Sequence, residues 1–322
     1  MTASTEVRIR TVGFRSGTET ELTALHAVEV PVAIERGSSR MPEPLVSYIA
    51  LARNLPSQFD DHAWLAEAGD GTPVACGFCW SDATGDPRVM ECDLFVRRDR
   101  RRNGIGSRLF AQIRDAAAHD GRSLLRWSTF GAVPAGEAFS RQVSARVARV
   151  TRVSELRLAD VDWPMVEEWA RAGHARGHGY RLEMIDGAFP EHLRADAATF
   201  HHIMQTAPRD GLDIGDVQLE AHHVGELDRA LLAAGRTRWT ALVRDPSGAC
   251  VGGTEVTFVP ERPTIVLQQN TGIDPAHRGL GLAKWAKGAM LERLRRERPE
   301  AETVRTANAF YVARRQQSHL HL

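Results

Sequence analysis

Two stretches of this chain decide its fold, Leu94-Phe-Val-Arg-Arg-Asp-Arg-Arg-Arg-Asn-Gly-Ile-Gly106 and Thr271-Gly-Ile-Asp-Pro-Ala-His-Arg-Gly-Leu-Gly-Leu-Ala283. In each stretch a β-branched residue, Val96 or Ile273, is followed five positions later by an arginine and then by x-x-Gly-x-Gly or x-x-Gly-x-Ala. An apolar, strand-like run precedes both stretches, and apolar residues at helical spacing follow both. The repeat predicts a strand, a glycine-containing loop and a helix, twice in one chain.

Similar elements surround the two copies. Ahead of each, the patterns predict a strand, two helical stretches and a hairpin, and after each repeat helix a short strand. Residues 145–158 alternate as a long strand would, and 162–172 predict a linker helix capped by an aspartate. We therefore expect two domains, 1–160 and 161–322, with the second short of its last strands.

The composition narrows the class of protein. Lys plus Arg and Asp plus Glu both count 41, so the chain has no excess charge with which to bind nucleic acid in bulk. No apolar run approaches the 18 residues of a membrane span, and the first residues lack a signal-peptide pattern. Four cysteines among 322 residues favour a reducing compartment, so we expect a cytoplasmic protein without a membrane partner.

Two weaker patterns suggest metal sites but do not support them. Cys76 and Cys79 form a C-x-x-C on a predicted strand, where their side chains would point to opposite faces. The histidine pairs His201-His202 and His222-His223 diverge on a helix and have no fixed carboxylate nearby. We expect no metal.

A loop that runs from a strand through glycines into a helix is suited to binding anions. The first amides of the helix have no partner and carry partial positive charge, and glycine lets a ligand approach the backbone. A P-loop would need Lys-Ser/Thr after the last glycine, and a dinucleotide fingerprint would open an early βαβ unit. Neither fits, and a solvated arginine face over a capped turn is the remaining alternative.

The order of strand, helices, three strands, R-x-x-G-x-G/A, helix and strand resembles the GCN5-related N-acetyltransferase (GNAT) family, and it occurs twice. The resemblance is most specific from Asn270 to Ala283, with the later Thr306-Ala-Asn308-Ala. It implies an α/β (α+β) fold of two tandem acyl-CoA N-acyltransferase-like domains. Each would have a mostly antiparallel, splayed sheet flanked by helices.

The resemblance also implies where acetyl-CoA, or another acyl-CoA, would bind. The loop and helix start would hold its pyrophosphate, and the backbone of the β-branched residue would lie near the thioester. The residues so implicated are Phe95, Val96, Arg101, Arg102, Asn103, Gly104, Ile105, Gly106, Ser107, Gly272, Ile273, Arg278, Gly279, Leu280, Gly281, Leu282, Ala283, Lys284 and Asn308.

Catalytic groups are harder to choose. Glu91 and Asp93 share a strand face and are the candidate bases of the first domain, although either could form a structural ion pair. The family often has a tyrosine acid four residues before a Gly-Phe, where this chain has Ser140. Tyr311 is the candidate acid of the second domain, but it lies only three residues past Asn308. Either the second domain borrows strands from the first domain or from a partner, or its acceptor site is altered.

The function expected from the resemblance is acetyl transfer from acetyl-CoA to the amine of a small molecule, by direct attack in a ternary complex. A secondary metabolite or antibiotic is the expected acceptor class, and the protein would be a monomer or homodimer. Two alternatives remain: a non-catalytic CoA-binding module, and an acyltransferase for a protein or carrier protein.

Overall fold

The computed structural model describes residues 7–37, 42–175, 179–207 and 213–309. Within these ranges the helices are α1 (Glu19–Glu35), α2 (Leu45–Arg53), α3 (Ile105–His119), α4 (Pro134–Gln142), α5 (Trp163–Ala175), α6 (Arg194–Met204), α7 (Ala221–Ala233) and α8 (Leu282–Glu297). The strands are β1 (Val7–Val12), β2 (Phe59–Ala68), β3 (Pro73–Asp82), β4 (Val89–Val96), β5 (Leu124–Arg126), β6 (Thr151–Arg157), β7 (Arg181–Asp186), β8 (Thr237–Arg244), β9 (Cys250–Phe258), β10 (Ile265–Ile273) and β11 (Thr303–Ala309).

The first sheet has the strand order β1-β2-β3-β4-β5. Its first four strands pair antiparallel, and β4 pairs with β5 in parallel. One face packs on α1 and α2 through a cluster that includes Leu65, Phe78 and Phe95. The other face packs on α3, whose Leu109 and Ile113 are fully buried one helical turn apart.

The second sheet has the order β6-β11-β10-β9-β8-β7. Its centre is antiparallel, while β10 and β11 run parallel. Trp239, Val256 and Phe258 pack against Met290 and Leu294 of α8. The fold class predicted from the sequence, tandem mixed sheets that are mostly antiparallel and flanked by helices, is therefore confirmed.

Strand β6 extends the second sheet beyond β11. It pairs antiparallel with β11 over seven residues, from Thr303 opposite Arg157 to Ala309 opposite Thr151. Of the predicted strand 145–158, only residues 151–157 form a strand, and this strand is the edge of the second sheet. Within the described residues, the edge strand beside β11 thus comes from the segment ahead of α5, which the sequence assigned to the first domain.

Packing divides the chain into two compact units. The first takes residues up to Val143 with Asp186–Ala198 and Ile214–Thr237, and the second takes Ser144–Ile185, Thr199–Asp213 and the residues from Arg238 onward. A division into 1–160 and 161–322 stays a prediction. The linker helix predicted at 162–172 is α5, and the Asp162 carboxylate accepts a hydrogen bond from the Met165 amide at 3.1 Å.

None of the helices in the described ranges is both long and apolar enough to cross a membrane.

Candidate functional site

In each unit the pairing of the central strand with its parallel neighbour ends before the central strand does. The register between β4 and β5 ends with Glu91 opposite Arg126, while β4 continues to Val96. The register between β10 and β11 ends with Leu267 opposite Arg305, while β10 continues to Ile273. Over the described residues, the last part of each central strand is therefore open along one edge, where its backbone groups can pair with an extended ligand.

Each open strand leads into a helix that begins at a left-handed glycine. Gly104, with φ 74°, caps α3, and Gly281, with φ 76°, caps α8. A Cβ built on Gly104 would meet no heavy atom within 4 Å, and neither would one built on Gly279, two residues before the second cap. The two loops thus leave room beside their backbone at these glycines, as a cradle for an anion requires.

The arginine of each motif ties the loop back to its strand. Arg101 Nε donates to the Val96 carbonyl at 3.1 Å, and Arg278 Nε donates to the Ile273 carbonyl at 2.9 Å. The rest of the Arg101 guanidinium pairs with both carboxylate oxygens of Glu35, at 2.8 and 2.5 Å. These contacts stabilise the loop geometry, so the backbone amides are the groups best placed to face a ligand.

The two units anchor this arginine differently. Arg101, through its hydrogen bonds, lowers the pKa of Glu35. In the second unit the outer nitrogen of Arg278 instead donates to the neutral Thr206 hydroxyl at 2.6 Å. Only the first anchor is therefore an ion pair that acid can break.

The implicated residues fall into two groups by the position of their side chains. Those of Ile105 and Leu282 are buried and anchor the helix starts in the core. The side chain of Phe95 is also buried, edge-on to Phe78 at 6.1 Å between ring centroids, so only its backbone could contact a ligand. Leu280 is exposed, and its side chain can contact a ligand in solvent. That all these residues contact the cofactor stays a prediction.

The candidate bases of the first unit are already engaged. Glu91 pairs with Arg126 of the neighbouring strand, directly opposite in register. Burial, together with the nearby Glu29 and Asp93 carboxylates, raises the pKa of the Cys76 thiol well above its usual range. Asp93 therefore lies on the face that packs on α1, and its role as a base, like that of Glu91, stays a prediction.

Sequence reasoning missed a polar pair on that same face. The Tyr48 hydroxyl donates to the Glu29 carboxylate at 2.5 Å, joining α2 to α1. Burial and this carboxylate raise the Tyr48 pKa, so the phenol stays protonated. No motif marks these residues, because their spacing of 19 positions belongs to the packing of two helices.

Arg36 was missed for the same reason. Its buried guanidinium lies between two aromatic rings, 4.8 Å from the centroid of Phe95 and 4.6 Å from that of Phe130. It therefore occupies the space between the open end of β4 and the segment that follows β5. Its sequence neighbours contain nothing that predicts this position.

The positions related to the catalytic acid of the family, Ser140, Tyr311 and Asn308, have different outcomes. The Ser140 hydroxyl accepts a hydrogen bond from Trp127 Nε1 at 2.9 Å and donates to the Gly136 carbonyl at 3.0 Å, so it is tied to its own helix. Tyr311 lies outside the described residues. Asn308 lies in β11, in register with Arg152 of β6.

The second unit has buried polar side chains at the centre of its sheet. Arg238 Nε lies 3.6 Å from a Glu255 carboxylate oxygen, and the Thr240 hydroxyl donates to that oxygen at 3.3 Å. Burial, followed by the positive charge of Arg238, lowers the pKa of the neighbouring His201 to about 4, so this imidazole is neutral at pH 7. Neutral and paired groups are what a sheet interior tolerates.

No cluster of three or more histidine, cysteine or acidic side chains in the described ranges could hold a metal ion. Cys76 and Cys79 are both buried free thiols. Burial first, and then the Asp120 carboxylate, raises the pKa of Cys79 to about 12, which makes it a poor metal ligand at neutral pH.

Sequence comparison identifies the first motif. Residues 34–137 match the acetyltransferase (GNAT) family. This range includes β2 to β5, the first glycine-capped loop and α3. No curated protein matches the chain in sequence.

Comparison with solved structures extends the likeness to nearly the whole chain. A tandem GNAT protein from the clavulanic acid biosynthesis pathway, solved without acetyl-CoA, is 21% identical at a TM-score of 0.70, covering 94% of this chain and 90% of that one. A GCN5-related N-acetyltransferase from Sphaerobacter thermophilus is 14% identical at 0.59, covering 95% and 88%. A probable N-acyltransferase from Enterococcus faecalis is 12% identical at 0.55, covering 96% and 67%. At these identities the likeness concerns the fold.

Proposed function

We propose that this chain, a tandem member of the GNAT acetyltransferase family, transfers an acetyl group from acetyl-CoA to the amine of a small molecule. The observation that carries the proposal is the pairing of an open strand edge with a glycine-capped helix start, found in both units. One motif could be a turn with exposed arginines, but two in the same structural setting favour a shared ligand.

The residues of the chain fit such a ligand. The helix starts at Gly104 and Gly281 offer the unpaired amides of a helix N-terminus, and the space beside Gly104 is open, which suits a diphosphate. The open ends of β4 and β10 offer backbone donors and acceptors to an extended amide-containing arm. When bound, acetyl-CoA supplies an activated acyl group and a thiol leaving group.

Positioning is the main contribution that the protein has to make. An ordinary primary ammonium has a pKa of about 10.4, so its neutral form costs ~4–5 kcal/mol at pH 7. Holding two reactants in the reactive geometry is worth ~7–11 kcal/mol. A carboxylate acting through water therefore suffices as a base, and backbone amides at the open strand end would stabilise negative charge on the carbonyl oxygen.

The acceptor is expected to be small. The clavulanic acid protein is a tandem GNAT protein of a biosynthetic pathway, which supports a secondary metabolite or antibiotic amine as the acceptor of this chain too. The protein is expected to act in the cytoplasm as a monomer or homodimer.

The test is acceptor-dependent release of CoA thiol from acetyl-CoA over a panel of small amines, with radiolabel used to follow the acetyl group. Turnover with one acceptor class supports the proposal. Label found only in protein would favour the protein acyltransferase. Binding of acetyl-CoA without any transfer would favour a CoA-binding module, an alternative that the apolar face of the first sheet supports for that unit.

A further inference from the structure

A β-bulge interrupts the central strand of the second sheet where that strand becomes open. Gln268 pairs with Val256, and the next paired residue, Thr271, lies opposite Thr254. Three steps along β10 therefore match two steps along β9. Because the register with β11 ends at Leu267, the bulge begins at the first open residue.

The side chain of Gln268 fills this bulge. Its amide nitrogen lies 2.7 Å from the Glu255 carbonyl, 3.1 Å from the Thr254 hydroxyl and 3.2 Å from the Thr271 hydroxyl. It is also 3.4 Å from the carbonyl of Asn270 within the bulge. The two threonine hydroxyls are 2.8 Å apart and complete the network.

The acceptors fix which end of the amide faces inward. Backbone carbonyls only accept hydrogen bonds, so the nitrogen end of Gln268 must face Glu255 and Asn270. A bulge leaves backbone groups without their strand partners, and buried unpaired groups are costly. Gln268 satisfies these groups and thereby holds one shape of the strand beyond Leu267.

The first unit has no such device. Its register runs without interruption from Ala75 opposite Val96 to Trp80 opposite Glu91. Cys92, opposite Cys79, holds the place that Gln268 has opposite Val256. It is buried in the apolar cluster beneath α3. The two open strand ends therefore differ in shape although their loops match.

We propose that Gln268 is a positioning residue that shapes the acyl-CoA seat of the second unit, and that this seat orients the thioester for transfer. The inference rests on the proposed function. It assigns the reaction to β10, because a bulge re-aims the backbone next to it while the regular strand β4 keeps an ordinary pleat. The Thr254–Thr271 pair belongs to the same device.

Two matched pairs of variants test it by calorimetric titration with acetyl-CoA, a measurement that needs no acceptor. Gln268→Met removes the donors and Gln269→Met is its control, since Gln269 bonds only the Thr257 hydroxyl, at 2.9 Å. Thr254→Val and Thr257→Val form the second pair, both at buried threonines of β9. Thr254→Ser restores the hydroxyl.

We expect about tenfold weaker acetyl-CoA binding in Gln268→Met and Thr254→Val, less than twofold change in the two controls, and recovery in Thr254→Ser. Amide exchange at 269–273 should accelerate in the first two variants. In a Gly281→Val background, where the second loop is blocked, Gln268→Met should change the remaining binding by less than twofold.

The outcomes separate the two proposals. If the unaltered protein binds no acetyl-CoA, the proposed function fails. If it binds, and Gln268→Met binds equally well while only its melting temperature falls, Gln268 is merely structural and the inference is overturned. If Gln268→Met weakens binding in the Gly281→Val background as well, the assignment to the second unit is overturned.

Discussion

The two sheets present very different faces at equivalent positions. Ala75 pairs with Val96 just as Gly252 pairs with Ile273, so β3 corresponds to β9 and β4 to β10. Counting from these pairs, Phe78 of the first unit stands where Glu255 stands in the second.

The neighbouring positions differ in the same way, apolar in the first unit and polar in the second. Ala63, beside Phe78, matches Thr240, which bonds Glu255. At the two positions compared, the first face is thus apolar, with Phe78 and Phe95 packed edge to face. Buried polar groups reduce the stability of a core, so the polar side chains at the centre of the second sheet indicate a use beyond stability. This comparison favours the second unit as the place of chemistry.

The largest effect is expected at Gly252. Its φ is 147°, and a Cβ there would overlap the carbonyl oxygen of Gly272 and come within 2.9 Å of the Cα of Ile273. Gly252→Ala should lower the free energy of unfolding of the second unit by about 3 kcal/mol, through backbone strain and overpacking.

Ala75→Gly at the equivalent place should cost only about 1 kcal/mol, from the entropy of the glycine. Urea unfolding followed by hydrogen exchange in each unit measures both variants. Equal losses would mean that the central strands of the two units are packed alike.

The second largest effect is expected from substitutions at the glycines that cap α3 and α8. In Gly281→Val a side chain is added at the left-handed glycine that caps α8, and acetyl transfer should fall about 100-fold because the phosphates and thioester are misplaced. Gly104→Val should lower acetyl transfer by no more than about tenfold. Gly121→Val controls for strain. Gly121 has φ 69° and, like Gly104, no heavy atom within 4 Å of a Cβ built there, but it follows α3 instead of preceding it. Initial rates at saturating acceptor measure these losses. A larger loss in Gly104→Val than in Gly281→Val would assign the reaction to the first unit.

Acid should loosen only the first loop. Because Arg101 lowers the pKa of Glu35, the pair stabilises the fold above the ordinary glutamate pKa and loses that contribution as the pH falls through the lowered value. The partly buried pair is worth about 1 kcal/mol at neutral pH.

Hydrogen exchange of 97–106 should therefore accelerate as the pH falls through the lowered pKa of Glu35, while 274–283, held by Thr206, changes less. Glu35→Gln removes the ion pair already at neutral pH, and it should therefore abolish the difference between the two loops in their response to acid. Parallel acceleration of both loops would show that global acid unfolding dominates.

The smallest effect concerns one left-handed residue in each loop. Arg102 has φ 66° where the second loop has Gly279 at φ 81°. Arg102→Gly should stabilise the first unit by up to about 1 kcal/mol, and Gly279→Arg should destabilise the second by a similar amount. Thermal melts of the two variants measure this, and a destabilised Arg102→Gly or a stabilised Gly279→Arg would refute the equivalence of the loops.

The sequence was most informative where a structure depends on neighbouring residues. The repeat of strand, loop and helix follows from spacing, and both glycines adopt the left-handed conformation that a sharp entry into a helix requires. The arginine five residues past the strand has the same role in both copies, bonding the carbonyl of Val96 or Ile273. Local geometry and local chemistry are encoded together in such motifs.

Tertiary structure decided what depends on distant partners. The strand before α5 alternates as any edge strand would, and only packing pairs Thr151–Arg157 with β11. Arg36 reaches Phe130, and Tyr48 reaches Glu29, through contacts between elements that no spacing rule predicts. The run Gln268-Gln269-Asn270 is visible in the sequence, but the bulge depends on the register against β9. Pairing register and helix packing are set by the whole buried surface, so the short-range pattern determined the loops and the assembled fold determined what surrounds them.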